Sequence, residues 1–251
     1  MIGKAGIAFL VSFVCVVSTP VGIGRALAAE RDWAAIQRAA EQGHADAQFH
    51  LGNMYYFGRG MPKDDVKAVQ WYQKAAEQGH ARAQNNLGVM YDNGYGVRQD
   101  VARAVQWWEK SAEQGNVNAQ CQLGHMYHSG RGVPKDEAKA VRWTQKAAEQ
   151  GHAEAQFNLG AMYDNGYGVE KDYAKAVQWW EKAAEQGYDE AQFNLGNMHY
   201  LGRGIPKDDA KAAQWYQKAA EQGHAEAQKQ LKECNARGLT PPSSSLVPHT
   251  Q

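Results

Sequence analysis

In the stretch AQFHLGNMYYFG (residues 47 to 58) the apolar positions Ala47, Leu51, Met54 and Tyr55 keep the i, i+4, i+7, i+8 spacing of one helical face. A second stretch, VKAVQWYQKAAEQG, places Ala68, Trp71, Ala75 and Ala76 on another such face. Between them Gly58 and Gly60 end the first helix, where left-handed backbone is cheapest for glycine, and Asp64 is placed to cap the second. Gly52 lies mid-helix at a cost of about 1 kcal/mol relative to Ala, which predicts a helix–helix approach that no side chain would permit. No β-branched alternation supports a strand.

The two-helix pattern recurs along the chain. AEQG stands at Ala40, Ala76, Ala112, Ala148, Ala184 and Ala220, always 36 residues apart, and defines five units without insertion: 44–79, 80–115, 116–151, 152–187 and 188–223. Residues 29–43 resemble a second half-unit and 224–238 a first half-unit, in which Lys229, Lys232 and Glu233 leave one side wettable as a cap would. One hairpin cannot bury its own apolar face, whereas stacked neighbours can. The expected fold is all-α, a right-handed α-solenoid of 36-residue helix-turn-helix repeats.

Comparing the units with one another separates two kinds of position. Leu51, Gly52, Met54, Gly58, Gly60, Trp71 and Lys74 have identical counterparts in all five. Three first-helix columns vary most: Phe49, Asn85, Cys121, Phe157 and Phe193; then Asn53, Val89, His125, Ala161 and Asn197; then Tyr56, Asp92, His128, Asp164 and Tyr200. Their i, i+4, i+7 spacing makes one stripe beside the buried face, and aromatic groups among polar ones suit a partner-binding floor. The loops also alternate, GRG in units one, three and five and GYG in two and four, as duplication of a two-unit block would leave them.

The motif A-x-A-Q-x-x-L-G-x-M-Y-x-x-G-x-G-V followed by D-x-x-K-A-x-x-W-x-x-K-A-A-E-Q-G resembles the Sel1-like repeat, a subclass of the tetratricopeptide-like hairpins, over roughly residues 30 to 238. His199 departs from it where the other units have Tyr, and the paired cysteines of the cysteine-rich secreted members are missing. The resemblance implies a concave groove, lined by first helices, that binds a protein or peptide. It associates secreted bacterial members with envelope signalling, host interaction or immunity to a toxin or lipase effector.

The ends and the charge refine this picture. Lys4, the apolar run of residues 6 to 17 and Ala26-Leu27-Ala28 form a secretory leader with cleavage expected after Ala28, which predicts a periplasmic or secreted protein with no membrane span in the mature chain. Cys15 lies inside the apolar run after Phe13-Val14, unlike a lipidated cysteine. Without Lys4 and Arg25 the chain carries 25 basic and 27 acidic side chains and no basic block, which argues against nucleic acid as a partner. Residues 239–251, rich in Pro and Ser, are expected to be a disordered tail.

Catalytic chemistry lacks its motifs. Only Ser111 and Ser129 lie in the repeats, and neither stands in S-x-x-K or G-x-S-x-G. The β-lactamase-like hydrolase activity attached to some cysteine-rich relatives therefore has no support in these residues, and no enzyme and no cofactor are expected. H-E-x-x-H and a dinucleotide fingerprint are also missing. Cys121, His125 and His128 share a helix face and are metal-ligand types. However, Cys121 to His128 spans roughly 10 Å of rise, long for one ion, so no metal is expected there. Cys121 and Cys234 stand three repeats apart, too far for a disulfide.

Overall fold

A computed structural model describes residues 33–239. The expected leader (1–28), the first residues of the N-terminal half-unit and the tail from residue 240 lie outside the described residues. Twelve helices follow one another: α1 (33–41), α2 (Ala45–Phe57), α3 (Asp65–Glu77), α4 (Ala81–Asn93), α5 (Val101–Glu113), α6 (Val117–Ser129), α7 (Glu137–Glu149), α8 (Ala153–Asn165), α9 (Tyr173–Glu185), α10 (Asp189–Leu201), α11 (Asp209–Glu221) and α12 (Ala225–Ala236). There is no strand among the described residues. Each helix from α2 onward packs on its chain neighbours, α2 on α3, α3 on α4, and so on to α12, which makes an all-α solenoid.

The helix ends form as the residue types dictate. Asp64 Oδ1 accepts the Lys67 N–H at 2.9 Å, and Asp100, Asp136, Asp172 and Asp208 repeat this cap on the other second helices. That bond from the Lys67 N–H holds the Asp64 carboxyl below its usual range. Gly58 turns left-handed at φ +66° and ends α2. Gly96, two residues into the next loop, has φ +65°, and a Cβ there would run into the backbone of Asp65 and Val66. Gly132, Gly168 and Gly204 meet Val101, Glu137 and Tyr173 in the same way, so the loops of units two to five lie directly on the second helix of the preceding unit.

Within a unit the mid-helix glycine is a seat for a large side chain. A Cβ on Gly52 would come within 2.6 Å of the Tyr72 ring, and one on Gly88 or Gly160 within 2.5 Å of Trp108 or Trp180. Tyr72 and Trp108 are each 1% exposed. Full burial of a large apolar side chain contributes about 1.5–3 kcal/mol, which exceeds the roughly 1 kcal/mol that helical glycine costs. The close approach expected at Gly52 is therefore made by a ring against helix backbone.

This seating corrects the expected second-helix face. Trp71 is only partly buried, and its neighbour Tyr72 takes the core position. The tryptophan common to all units lies on the flank instead, with Lys74 Nζ 4.0 Å from the Trp71 ring centroid and the same stack at Lys110 and Trp107. Lys74, Lys110, Lys182 and Lys218 are exposed and Lys146 is partly buried, as a largely solvated face requires.

Successive units are joined by a buried glutamine. Gln48 Nε2 donates to the Ala40 carbonyl at the end of α1, and Gln48 Oε1 accepts from Gln78 Nε2 just after α3 at 2.7 Å. Gln84, Gln120, Gln156 and Gln192 make the same two bonds further along. Each one ties the last turns of two consecutive second helices through the first helix between them, with both the oxygen and the nitrogen of its own buried amide paired. At the C-terminal end Leu239, expected to begin the tail, packs on the cluster of Ala213, Tyr216 and Cys234, and its N–H donates to the Cys234 carbonyl at 3.0 Å.

His199 replaces the Tyr of other units at a buried position, where its Nδ1 finds no hydrogen-bond partner. Burial, and then the charge of Lys211, lower its pKa from 6.5. A histidine whose folded pKa is depressed contributes stability that is present above its unfolded pKa and lost as pH falls below it. His199→Tyr should therefore raise the urea midpoint relative to the wild type, by an increment that grows as pH is lowered from about 7.5 to about 5.5.

Candidate functional site

The three variable columns do not have one character. In the first, Phe49, Asn85 and Cys121 are buried and Phe157 and Phe193 are partly buried. The phenylalanines face the residue that caps the next first helix: Phe49 stacks on His80 with ring centroids 4.6 Å apart, Phe193 on His224 at 4.6 Å, and Phe157 meets Tyr188 at 5.1 Å. His80 and His224 at the same time accept the Ala83 and Ala227 N–H through Nδ1. The expectation of an open floor at Phe49, Asn85 and Cys121 is corrected: the next helix begins directly over them, so this column is a seam between units.

The second column varies because the seated side chain varies. In units one and five the seat holds Tyr72 and Tyr216, whose hydroxyls donate to Asn53 Oδ1 at 2.7 Å and Asn197 Oδ1 at 2.8 Å. In units two and four it holds Trp108 and Trp180, whose indole N–H groups donate to the Asn85 and Phe157 carbonyls. There the second column becomes Val89 and Ala161, since no hydroxyl needs an acceptor. Unit three seats Thr144 and places His125, which is exposed. Asn53 and Asn197 are thus committed to a core hydroxyl, although a side of each remains partly open.

The third column meets the loops, and all five of its residues are partly buried. Each of the first four lies near the loop residue 39 positions later, and the chemistry alternates with it. Tyr56 lies 6.4 Å from Tyr95, and His128 lies 5.3 Å from Tyr167, ring to ring. Asp92 Oδ1 is 2.8 Å from Arg131 Nη2, though the aligned hydrogen bond runs from Nη1 to Oδ2 at 3.3 Å. Asp164 and Arg203 line one polar cleft of about 260 Å³ with Asn165, Asn194, Asn197 and Trp180. The alternating GRG and GYG loops thus have a physical correlate, since an Arg loop follows each Asp and a Tyr loop follows Tyr56 and His128.

Exposed apolar side chains punctuate this edge along the array. Phe57 is 56% exposed, Tyr95 42%, Tyr167 46% and Leu201 52%, and all lie at first-helix ends or in the following loops. None belongs to the expected stripe. Tyr56 and Tyr200 are partly buried beside them, and Tyr200 accepts a 2.7 Å hydrogen bond from Arg237. The signal for Tyr95 and Tyr167 was in the loop alternation, which comparison within one column does not reveal.

Possible chemistry is constrained by the same geometry. Cys121, His125 and His128 are not gathered. Cys121 faces the next unit, His125 projects to solvent, and His128 Nδ1 is paired with Glu137 Oε2 at 2.8 Å. Burial raises the Glu137 pKa, but Lys135 and His128 together hold it below its usual value. The Cys121 thiol is pushed up to about 12, by burial and then by Glu154. Ser111 Oγ donates to the Ala81 carbonyl at 2.7 Å and Ser129 Oγ to the His125 carbonyl at 2.8 Å, so neither hydroxyl hydrogen-bonds a base.

The coupling of the second column to the seat is testable. Asn53→Val alone leaves the buried Tyr72 hydroxyl without its acceptor and should cost about 1–3 kcal/mol. Adding Tyr72→Trp recreates the pair that unit two uses, and should restore most of the loss in a urea-unfolding double-mutant cycle.

The Sel1 repeat family model matches residues 45–80, 81–116, 117–152, 153–188 and 189–224. Among solved structures, a protective antigen present in uropathogenic Escherichia coli strains and displaying an SLR fold is 42% identical, with a TM-score of 0.80. That likeness covers 82% of this chain and 44% of the other, so the chain spans under half the length of that antigen. A Sel1 repeat protein from Oxalobacter formigenes is 36% identical over 87% of each chain, with a TM-score of 0.76. No curated protein matches the sequence. Five matched repeats and two structures alike in both sequence and shape place this chain in the Sel1 repeat family.

Proposed function

We propose that this protein is an exported, non-catalytic scaffold that binds a protein or an extended peptide along the open edge of its first helices and loops. Proteins of this repeat type are interaction modules, and the observation that carries the reading here is the exposure of Phe57, Tyr95, Tyr167 and Leu201 along one edge. Between them lie charged and polar groups, Asp92 with Arg131 and Asp164 with Arg203, that can orient a partner without adding much affinity. Large aromatic residues set among polar neighbours are the usual anchors of such contacts. The occupied serine hydroxyls and the buried Cys121 thiol favour binding over covalent catalysis.

Export rests on the leader pattern of residues 1–28. No helix of the described residues is long and apolar enough to cross a membrane. Expression with the native N-terminus should yield an envelope or secreted product whose mass corresponds to a start at Ala29. A cytoplasmic product of full mass would overturn this part.

For binding, Tyr95→Ala with Tyr167→Ala should weaken capture of partner proteins from an envelope extract by roughly tenfold or more. Because both side chains are exposed, thermal stability should change by less than about 0.5 kcal/mol for each. Gln178→Ala, on an exposed second-helix position, serves as the control. Equal capture by all three proteins would refute the proposed edge.

A further inference from the structure

Cys121 stands where other units place Phe or Asn, and the structure surrounds it with groups that the sequence holds far apart. His152 caps α8, and Glu154 lies in its first turn. A ligand atom of each of Cys121, His152 and Glu154 lies within 4.8 Å of the other two. Ligands of one tetrahedral zinc ion lie about 3.3–3.8 Å from each other, so small side-chain adjustments bring the three to that spacing. Cys121 is buried on a rigid helix, His152 is partly buried and Glu154 is exposed, so the least fixed ligand is also the one free to move.

The other unit junctions hold no equivalent set. Corresponding positions carry Phe49, His80 and Arg82, or Asn85, Asn116 and Asn118, or Phe157, Tyr188 and Glu190, or Phe193, His224 and Glu226. The junction with Cys121 is therefore alone among the five in combining a thiol, an imidazole and a carboxylate. Glu154 makes no ion pair or hydrogen bond among the described residues, and neither does the Cys121 sulfur.

We propose that Cys121, His152 and Glu154 form a zinc site that staples α6 to the N-terminus of α8. A thiolate with an imidazole and a carboxylate suits Zn²⁺ among the divalent ions, and water completes four-coordination. Binding replaces the thiol proton, which passes to solvent. It competes with little in the metal-free protein, because the Ala155 N–H bond to His152 Nδ1 is 3.3 Å long, against 3.0 Å for the equivalent cap at Asn116. The site joins two consecutive units by ligands from different helices, and is separate from the recognition edge. It also differs from the sequence-adjacent trio, sharing only Cys121 with it.

The repeat itself supplies conservative variants. Cys121→Phe installs the residue of three other units, and His152→Asn keeps a cap of the kind Asn116 makes. Untagged full-length protein, reduced and stripped of metal, would be titrated with Zn²⁺ by calorimetry and with Co²⁺ by absorbance. One Zn²⁺ per chain, a thiolate-to-cobalt charge-transfer band and a Zn²⁺-dependent rise in the thermal midpoint are expected. Cys121→Phe should abolish all three, and His152→Asn and Glu154→Gln should weaken binding by at least about tenfold. His125→Asn and His128→Asn should leave it unchanged. Absence of stoichiometric binding would overturn the proposal, as would a band that survives Cys121→Phe or that depends on His128 rather than His152. Glu154→Gln changes only an exposed side chain and keeps the test decisive if either of the other variants fails to fold.

Discussion

The seat made by the mid-helix glycine organises the hairpin, because it lets a second-helix side chain rest directly on first-helix backbone. Gly52 under Tyr72 and Gly88 under Trp108 show the same geometry with different occupants. Once a ring is seated, its polar atom needs a partner inside a dry contact, and the first helix must supply it. Tyr72 takes Asn53 Oδ1, whereas Trp108 takes a backbone carbonyl and releases that position to Val89. The choice of ring thus propagates to the neighbouring surface, and part of the variety along the array records packing and not partner choice.

Between hairpins the coupling is polar and short-ranged. The buried glutamines bind two second helices through the first helix between them, and the N-cap residues close over the first variable column. Loops complete the junction by lying on the preceding unit, where only glycine fits at positions such as Gly96. Because every junction uses residues within about one repeat of each other, stability is expected to be local and additive along the array. The open edge is what remains after these needs are met, and the exposed aromatics concentrate there.

The 36-residue period, the aspartate caps, the glycine stops and the all-α architecture were legible in the residues, since they follow from local backbone chemistry and a repeated apolar pattern. The candidate face was legible only in part. Asp92, Asp164, Tyr56 and Tyr200 lie along the edge, but Phe49 and Cys121 are covered by the next helix, and Phe57, Tyr95 and Tyr167 were outside the stripe. Spacing along one helix says which residues share a side, yet not which side the neighbouring unit covers. Trp71 shows the same limit, because a rotation of one residue decides whether it or Tyr72 enters the core.

The sequence by itself determined the helices, their ends and their repetition, because capping, turn formation and helical periodicity are settled within a few residues. Only the tertiary structure decided which ring fills each seat, which variable positions are seams and which histidine faces Cys121. Those outcomes depend on contacts between units. His152 lies 31 residues from Cys121 in the chain, whereas His125 lies four away. The start of α8 brings the distant histidine to the thiol, and the geometry of α6 carries the near one out to solvent.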